Sequence, residues 1–243
     1  MSIFEDIEVS ADVAEDQTVR ESQAWLKESG AYKAEVAMFR FGKSSGGANF
    51  FQIDLKTDEG KISFGPEYFT SGDAKDNRSY YTDKDGNKKD LPGLNKLKAI
   101  SRAIVGDQQA WQKAEEAIVP IYDFNAKTEV DQKVPVFKAA VGQKIGILVQ
   151  RVLEDATALN TASGKYEPNG KTKAVMDIVA WVDTETNQTR SELEAGKDAN
   201  SYKTFMSNIA KSPVYDKRKV AKDSPSEESK DTAEAEEAPS AFA

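Results

Sequence analysis

The sequence predicts a mainly β protein with helical insertions (α+β): an OB-like, five-stranded Greek-key barrel with peripheral helices and a disordered acidic tail. Runs in which apolar and polar residues alternate fill much of residues 32–64 and return after residue 143. Between them, apolar residues recur at helical spacing. Consecutive hairpins with a helix inserted before the last strands are typical of such a barrel. A ferredoxin-like or other α+β sheet is the alternative.

The first elements follow an acidic N-terminal segment, residues 1–31. Within it a short helix is predicted at residues 18–28, with Trp25 and Leu26 as its packing side chains. From residue 32 the period changes to that of a strand. Strands are predicted at 32–41, 49–56 and 61–64, and short ones at 68–70 and 79–82. The pair Asp85-Gly86 predicts a hairpin turn after the last of these.

Helices are predicted after Pro92-Gly93 interrupts the strand pattern. The first covers residues 94–105 and stops at Gly106. The second covers residues 107–118, with three apolar side chains on one side: Trp111, Ala114 and Ile118.

The last part of the domain returns to strands. They are predicted at 143–153 and 173–183, with a loop at 157–172 between them and a helix at 201–211 after them. One domain, residues 32–211, therefore carries a helical insertion at 94–118. A basic linker and a disordered acidic tail, residues 212–243, complete the chain.

Cysteine and histidine are both absent, which excludes many kinds of active site. Disulfides, thiolate or histidine metal sites, and Ser-His-Asp or Cys-His nucleophiles cannot form. No Gly-rich phosphate-binding motif of the Walker or Rossmann type is present. We therefore expect no enzymatic activity, no metal site and no cofactor. The remaining enzymatic alternative, a carboxylate-based magnesium nuclease, lacks acids at a recurring ligand spacing.

No stretch of the sequence approaches the ~20 consecutive apolar residues of a membrane span. The first residues also lack the basic and then apolar pattern of a signal peptide. We expect a soluble cytoplasmic protein with no membrane partner.

The net charge of −8 is unevenly distributed along the chain. Residues 1–31 and residues 223–243 each carry −6, whereas residues 32–222 hold 30 basic and 26 acidic residues, a net of +4. A mildly basic middle between acidic ends is compatible with a polyanionic ligand, although an ordinary solvated surface explains it equally well. The acidic tail has one aromatic residue near its tip, Phe242. Tails of this kind shield a cationic surface or are bound by other proteins.

Strand alternation places four large aromatic side chains on the outward faces of three predicted strands. Because Ile53 lies on the core face of the second strand, Phe50 points outward. By the same alternation Phe39 and Phe41 of the first strand, and Trp181 of the last strand, point outward. Two alternatives remain open: the predicted helices cover these aromatics as a second core layer, or a β-bulge reverses the phase of a strand.

Outward aromatic side chains near lysines suit single-stranded nucleic acid, because bases stack on rings and phosphates meet cations. Such stacking is worth about 1–3 kcal/mol per base and does not depend on sequence. The candidate nucleic-acid contacts are Phe39, Phe41, Phe50, Trp181, Tyr80 and Tyr81, with the lysines Lys33, Lys43, Lys56, Lys61 and Lys144.

The strand-rich barrel, basic middle, acidic tail and aromatic tip together resemble the single-stranded DNA-binding proteins of tailed bacteriophages. The resemblance covers residues 32–211 by element order and the tail by composition. It implies that the tail competes with DNA for the basic groove and recruits a polymerase, helicase or nuclease. The recruiting contacts would be Phe242, Glu234, Glu236 and Glu237. In that family the tail ends on the aromatic residue itself, whereas here Ala243 follows it.

We therefore expect a non-catalytic protein that binds single-stranded DNA without sequence preference, in the host cytoplasm, during phage DNA replication, recombination or repair. Whether it forms a homodimer is left open. The alternative is a protein-interaction module, such as a virion or scaffolding component, whose exposed aromatic residues form an assembly interface.

Overall fold

A computed structural model describes residues 24–123 and 126–219. The predicted mainly β class is confirmed, because strands account for most of the regular structure in these residues. The strands are β1 (Gly30–Lys43), β2 (Asn49–Thr57), β3 (Lys61–Tyr68), β4 (Tyr80–Thr82), β5 (Lys88–Asp90), β6 (Glu115–Asp123), β7 (Thr128–Val136), β8 (Lys144–Asn160), β9 (Lys165–Val182) and β10 (Val214–Asp216). The helices are α1 (Pro92–Val105), α2 (Arg190–Glu194) and α3 (Asn200–Lys211), with short 3₁₀ turns at Asp73–Lys75, Ala110–Lys113 and Lys138–Ala140.

One large sheet contains every strand except β4 and β5, which form a separate hairpin. Its order is β10-β8-β1-β2-β3, and β9 pairs antiparallel with β8. The hairpin β6–β7 joins this sheet at one register pair, Arg40 opposite Val136. Among the described residues no backbone pairing connects β3 to β9, so the sheet is not closed into a barrel.

A β-bulge in β1 decides which of its side chains are buried. The register with β2 shifts between Val36 and Met38, and this shift moves every later residue to the opposite face. Phe39 and Phe41 are therefore core residues with exposed fractions of 0% and 8%. The prediction that these two aromatics point outward is wrong.

The pairing of β8 with β9 also shifts register, between Leu148 and Val149 of β8. As a result Trp181 is paired with the buried Ile147 and packs on the core. Its ring meets that of Phe64 edge-on, with centroids 5.8 Å apart. The outward placement of Trp181 is therefore also wrong.

In the described part of the chain, two clusters of apolar side chains hold the fold together. The larger one lies inside the curved sheet and is closed by α1 through Leu97 and Ile100. The smaller one lies on the other side of β8 and β9, where α3 packs Phe205 against Leu148 and Val182. α3 thus covers the outward side of β8 and β9, whereas Trp181 lies on the side that faces the larger cluster, so α3 does not cover it in the way the alternative expected.

Several predicted elements are confirmed by the structure. The first three strands begin within two residues of their predicted starts, and the helices at 94–105 and 201–211 correspond to α1 and α3. The turn at Asp85-Gly86 joins β4 to β5. The predicted strand at 68–70 is only the last residue of β3.

Three predicted elements are wrong. The helix at 107–118 is replaced by the turn Ala110–Lys113 and the start of β6. The loop at 157–172 is instead the end of a long hairpin, since β8 continues to Asn160 and β9 begins at Lys165. The part of the predicted helix 18–28 that is described is not helical; there Trp25 forms an isolated parallel bridge with Lys61.

The described part of the chain contains no helix that is long and apolar enough to span a membrane. Most of the acidic N-terminal segment and the whole acidic tail lie outside the described residues.

Candidate nucleic-acid interface

The outward side of β1, β2 and β3, together with the start of β8, forms a polar surface that we call the outer face. Its members alternate with the buried residues of the core. They are Lys33, Glu35, Arg40, Phe50, Gln52, Asp54, Lys56, Lys61, Ser63, Tyr68 and Lys144.

Three lysines of the outer face lie in one row across four strands, which we call the lysine row. Lys61 is opposite Lys56, Lys56 is opposite Glu35, and Glu35 is opposite Lys144. Neighbouring strands are about 4.8 Å apart, so the row spans roughly 14 Å. Lys33 extends the same patch by two residues along β1, opposite Gly146.

The lysine row is electrostatically unfavourable at its Lys56–Lys61 end, whereas Glu35 lies opposite both Lys56 and Lys144. Like charges directly opposite each other destabilise a sheet, and Lys56 faces Lys61. None of the three lysines forms an ion pair with any acid in residues 24–123 or 126–219. The Lys61 ammonium group instead lies 4.8 Å from the ring centre of Trp25. A bound anion would relieve this repulsion.

The other end of the outer face carries two aromatic rings. Phe50 is opposite Tyr68, with ring centroids 5.8 Å apart and planes at 71°. Tyr68 is 48% exposed, and Phe50 is half-buried. Lys56 is six positions after Phe50 along β2, so the rings lie about 20 Å from the lysine row.

The surface between the rings and the lysine row is polar. Arg40 donates a hydrogen bond to the Gln52 side chain at 2.8 Å, and the Ser63 hydroxyl donates to Asp54. Partial burial lowers the pKa of Arg40, an effect that the nearby Asp54 carboxylate opposes. Arg40 remains a cation at neutral pH because a guanidinium group stays protonated in proteins. Asp54 and Glu35 are the acidic members of the outer face.

The structure brings together five of the predicted site residues on the outer face: Phe50, Lys33, Lys56, Lys61 and Lys144. It does not bring the others there. Phe39 and Trp181 pack in the core. Phe41 and Lys43 instead line a groove beside the outer face, at the end of β1.

The remaining predicted contacts lie elsewhere or outside the described residues. Tyr80 and Tyr81 belong to the hairpin β4–β5, where the Lys88 ammonium group is 4.6 Å from the Tyr80 ring centre and Tyr81 is 46% exposed. The tail residues Phe242, Glu234, Glu236 and Glu237 are outside the described residues.

Sequence reasoning missed Arg40, Gln52 and Tyr68. For Tyr68 no local signal was available, because a register shift around Gly65-Pro66 brings it opposite Phe50. Arg40 was missed because the bulge in β1 places it on the outer face, where strand alternation without a bulge would not put it. Gln52 could have been found from strand alternation, because it lies two residues after Phe50 on the same face of β2.

Comparison with models of protein families and with curated proteins found no match to this chain. The chemistry of the outer face itself therefore carries the functional interpretation.

Proposed function

We propose that this protein binds single-stranded DNA without sequence preference through its outer face and catalyses no reaction. The observation that carries the proposal is the lysine row, which lies on the same face as the ring pair of Phe50 and Tyr68. In this row Lys56 and Lys61 are directly opposite each other, and neither forms an ion pair with an acid of the described residues. The biological setting would be replication, recombination or repair of a phage-like genome.

The two ends of the outer face match the two chemical parts of a nucleic-acid strand. Phosphates carry the negative charge that the lysine row needs, and binding them releases condensed counterions. Unpaired bases expose a face that stacks on aromatic side chains, at about 1–3 kcal/mol per base. In a duplex both faces of an interior base are already stacked. Phe50 and Tyr68 therefore favour single strands.

The order of the elements supports an OB-like interpretation of the fold. β1 pairs with both β2 and β8, α1 follows β3, and β8 pairs with β9. This order is compatible with a five-stranded OB barrel in which β6–β7 is inserted before the fourth strand. The ring contact between Phe64 of β3 and Trp181 of β9 connects these two strands, which do not pair with each other through their backbones. OB folds bind oligonucleotides on the face of their second and third strands, which here includes Phe50 and Tyr68.

The acidic tail is proposed to compete with DNA and to recruit a replication protein through Phe242. Its starting point supports the first role. β10 pairs in parallel with β8, and the Lys219 amide donates to the Asp155 carboxylate at 2.8 Å, which fixes the chain just before the tail. A polyanion tethered to the domain acts at a high effective concentration on the lysines of the same molecule.

The proposal is tested by titrating a fluorescently labelled 30-nucleotide poly(dT) strand and following its anisotropy at several salt concentrations. We expect affinity to fall steeply with salt, with a slope of about −0.7 per phosphate contact. A duplex of the same length should bind more weakly. Absence of binding to the single strand at low salt would overturn the proposal.

A second candidate function, a protein-interaction or scaffolding role, is favoured by β6. Its Ile118 and Tyr122 are 71% and 51% exposed on a hairpin that projects from the sheet. Such side chains suit an assembly interface. Light scattering distinguishes the two functions, because a scaffold forms large assemblies without DNA and ignores an added oligonucleotide.

A further inference from the structure

A groove of about 460 Å³ lies beside the outer face, between the end of β1, the turn Ala110–Lys113 and β7. We call it the aromatic groove. Three rings that contact one another line it: Phe41, Phe69 and Trp111. Their centroids are 6.1 Å apart for Phe41 and Phe69, 6.2 Å for Phe41 and Trp111, and 5.7 Å for Phe69 and Trp111.

The polar group of Trp111 is already satisfied within the protein. The indole N–H donates to the Gln108 carbonyl at 3.1 Å, which satisfies the only polar group of the side chain. The ring is half-buried and lines the aromatic groove with its carbon surface. A flat aromatic ligand would find a stacking partner there without competing for a hydrogen bond.

Two lysines lie along the aromatic groove. Lys43 ends β1 and is 3.5 Å from Asp73, and Lys133 of β7 is 2.5 Å from Glu116. All four side chains are more than half exposed. Exposed pairs of this kind are worth about 0–1 kcal/mol. A phosphate can therefore replace the carboxylates at little cost.

Two amide side chains also line the aromatic groove, whose remaining lining residues are Gly42, Ala114, Val134 and Pro135. Asn49 and Gln112 each carry a donor and an acceptor. These amide side chains can therefore form hydrogen bonds with the polar edge of any of the four bases. The groove as a whole offers ring faces, cations and adaptable polar groups, which correspond to the base, phosphates and base edge of a nucleotide.

The aromatic groove is continuous with the outer face. Gly42 lines the groove and is also the register partner of Phe50. A Cβ on Gly42 would lie 2.5 Å from the Phe50 ring, so only a glycine backbone separates that ring from the groove. A strand lying on Phe50 therefore passes the entrance of the groove.

We infer that the aromatic groove receives one unpaired nucleobase of the bound strand, which stacks on Trp111 while Lys43 and Lys133 meet the adjacent phosphates. The inference rests on the proposed function and adds to it a reason for strand selectivity. A base must leave its stack to enter the groove. Extrusion costs a few kcal/mol from a duplex and least from a single strand.

The first test uses Trp111 as the only tryptophan, in the variant W25F/W181F. Its emission is followed while a 20-nucleotide poly(dT) strand or an abasic strand with the same number of phosphates is added. Both strands should bind, because both carry the phosphates that the lysine row needs. Only poly(dT) should quench Trp111, because only it has bases to stack.

The second test fills the aromatic groove with the substitution Ala114→Phe. Ala114 lines the groove and is half-buried. We expect poly(dT) affinity to fall about 5- to 150-fold, which is the loss of one stacked base, with the salt slope unchanged. The matched control is Ala174→Phe, at an exposed position of β9 outside the groove, which should bind like the unmodified protein.

The outcomes separate this inference from the proposed function. If the unmodified protein binds no oligonucleotide, the proposed function fails. If it binds both strands, but Trp111 responds to neither and Ala114→Phe binds normally, only the groove inference is overturned. The groove inference is also overturned if the emission of Trp111 is unchanged by DNA but changes when residues 223–243 are removed. Should Ala114→Phe not fold, the comparison with the abasic strand decides alone.

Discussion

The ring of Phe50 lies directly over the backbone of Gly42, its register partner across β1 and β2. A Cβ at position 42 would come within 2.5 Å of the ring's Cζ atom. Such a contact is too short for any real side chain, so the position of the ring requires glycine there. Because the ring is half-buried at the sheet surface, it can move outward without opening the core.

The substitution Gly42→Ala is expected to weaken binding of poly(dT) with little loss of stability. The new methyl group displaces the Phe50 ring. The protein then loses the stacking of up to one base on this ring, which contributes ~1–3 kcal/mol to the binding free energy. The core is untouched because the ring lies on the outward side of β2. Fluorescence anisotropy measures the affinity, and thermal unfolding followed by circular dichroism measures the stability.

A double-mutant cycle with Phe50→Leu provides the control for this prediction. If Gly42→Ala acts through the ring, it should have little further effect once the ring is gone. Additive losses in the double variant would show that residue 42 acts independently of Phe50.

Removing the lysine row is expected to reduce the salt dependence of DNA binding. Each lysine that contacts a phosphate contributes about −0.7 to the slope of log K against log salt on a single strand. The variant K56A/K61A/K144A should therefore have a slope smaller in magnitude by about 2. The quenching of Trp111 at saturation should persist, because the aromatic groove is intact.

Lys203 supplies the matched control for the lysine row. It lies on α3, which covers the opposite region of the sheet over β8 and β9, and its ammonium group is 3.5 Å from Asp198. Lys203→Ala should leave the slope unchanged. A reduction of about 0.7, one third of that of the triple variant, would mean that total charge, not the lysine row, sets the salt dependence.

The positions of Phe39 and Phe41 show where prediction from sequence stops. Simple alternation assigns residues correctly up to Val36, and the strand itself was predicted. One extra residue before Met38 then inverts the rest of β1. A bulge has no fixed sequence signature here. Alternation alone therefore assigned two core phenylalanines to the surface.

The hairpin β6–β7 was missed for a different reason. Trp111, Ala114 and Ile118 have helical spacing, yet the first two belong to a short turn and its end, and the third to a strand. The helical spacing of these three residues therefore arises by chance, from residues of two different elements. Pro120 lies inside β6, an edge strand where its missing N–H is tolerated.

The candidate site was only partly predictable because it is assembled across strands. Phe50 and its neighbouring lysines could be placed on one face from β2 alone. Their alignment with Lys144 depends on long-range pairing. The aromatic groove combines Phe69 and Trp111 with Lys133 of β7, and no local pattern brings residues so distant in sequence together.

Glu192 is expected to stabilise the connection between α2 and α3 above pH 4.5. Desolvation alone would raise the pKa of this buried carboxyl group. Hydrogen bonds from the amides and hydroxyls of Ser201 and Thr189 outweigh it and lower the pKa to about 2. Because the pKa in the folded state lies below the ordinary value of 4.5, the stabilisation is lost as pH falls from 4.5 towards 2.

The variant Glu192→Gln tests this relationship by urea unfolding. It should lower the free energy of unfolding at pH 7 by about 1–3 kcal/mol, the range for hydrogen bonds to a charged group and for a buried group left unpaired. Near pH 2 the difference should nearly vanish. Glu185→Gln, at an exposed position, is the control and should change little at either pH.

Deletion of residues 223–243 is expected to tighten binding of poly(dT) at low salt. The segment carries a net charge of −6 and competes with phosphates for the same lysines. The gain should shrink as salt rises, because screening weakens the tethered polyanion. Replacing the seven acids of the segment by glutamine tests charge at constant length and should reproduce the deletion. Phe242→Ala should leave DNA affinity unchanged. Equal affinities of the full and shortened chains at low salt would exclude competition by the tail.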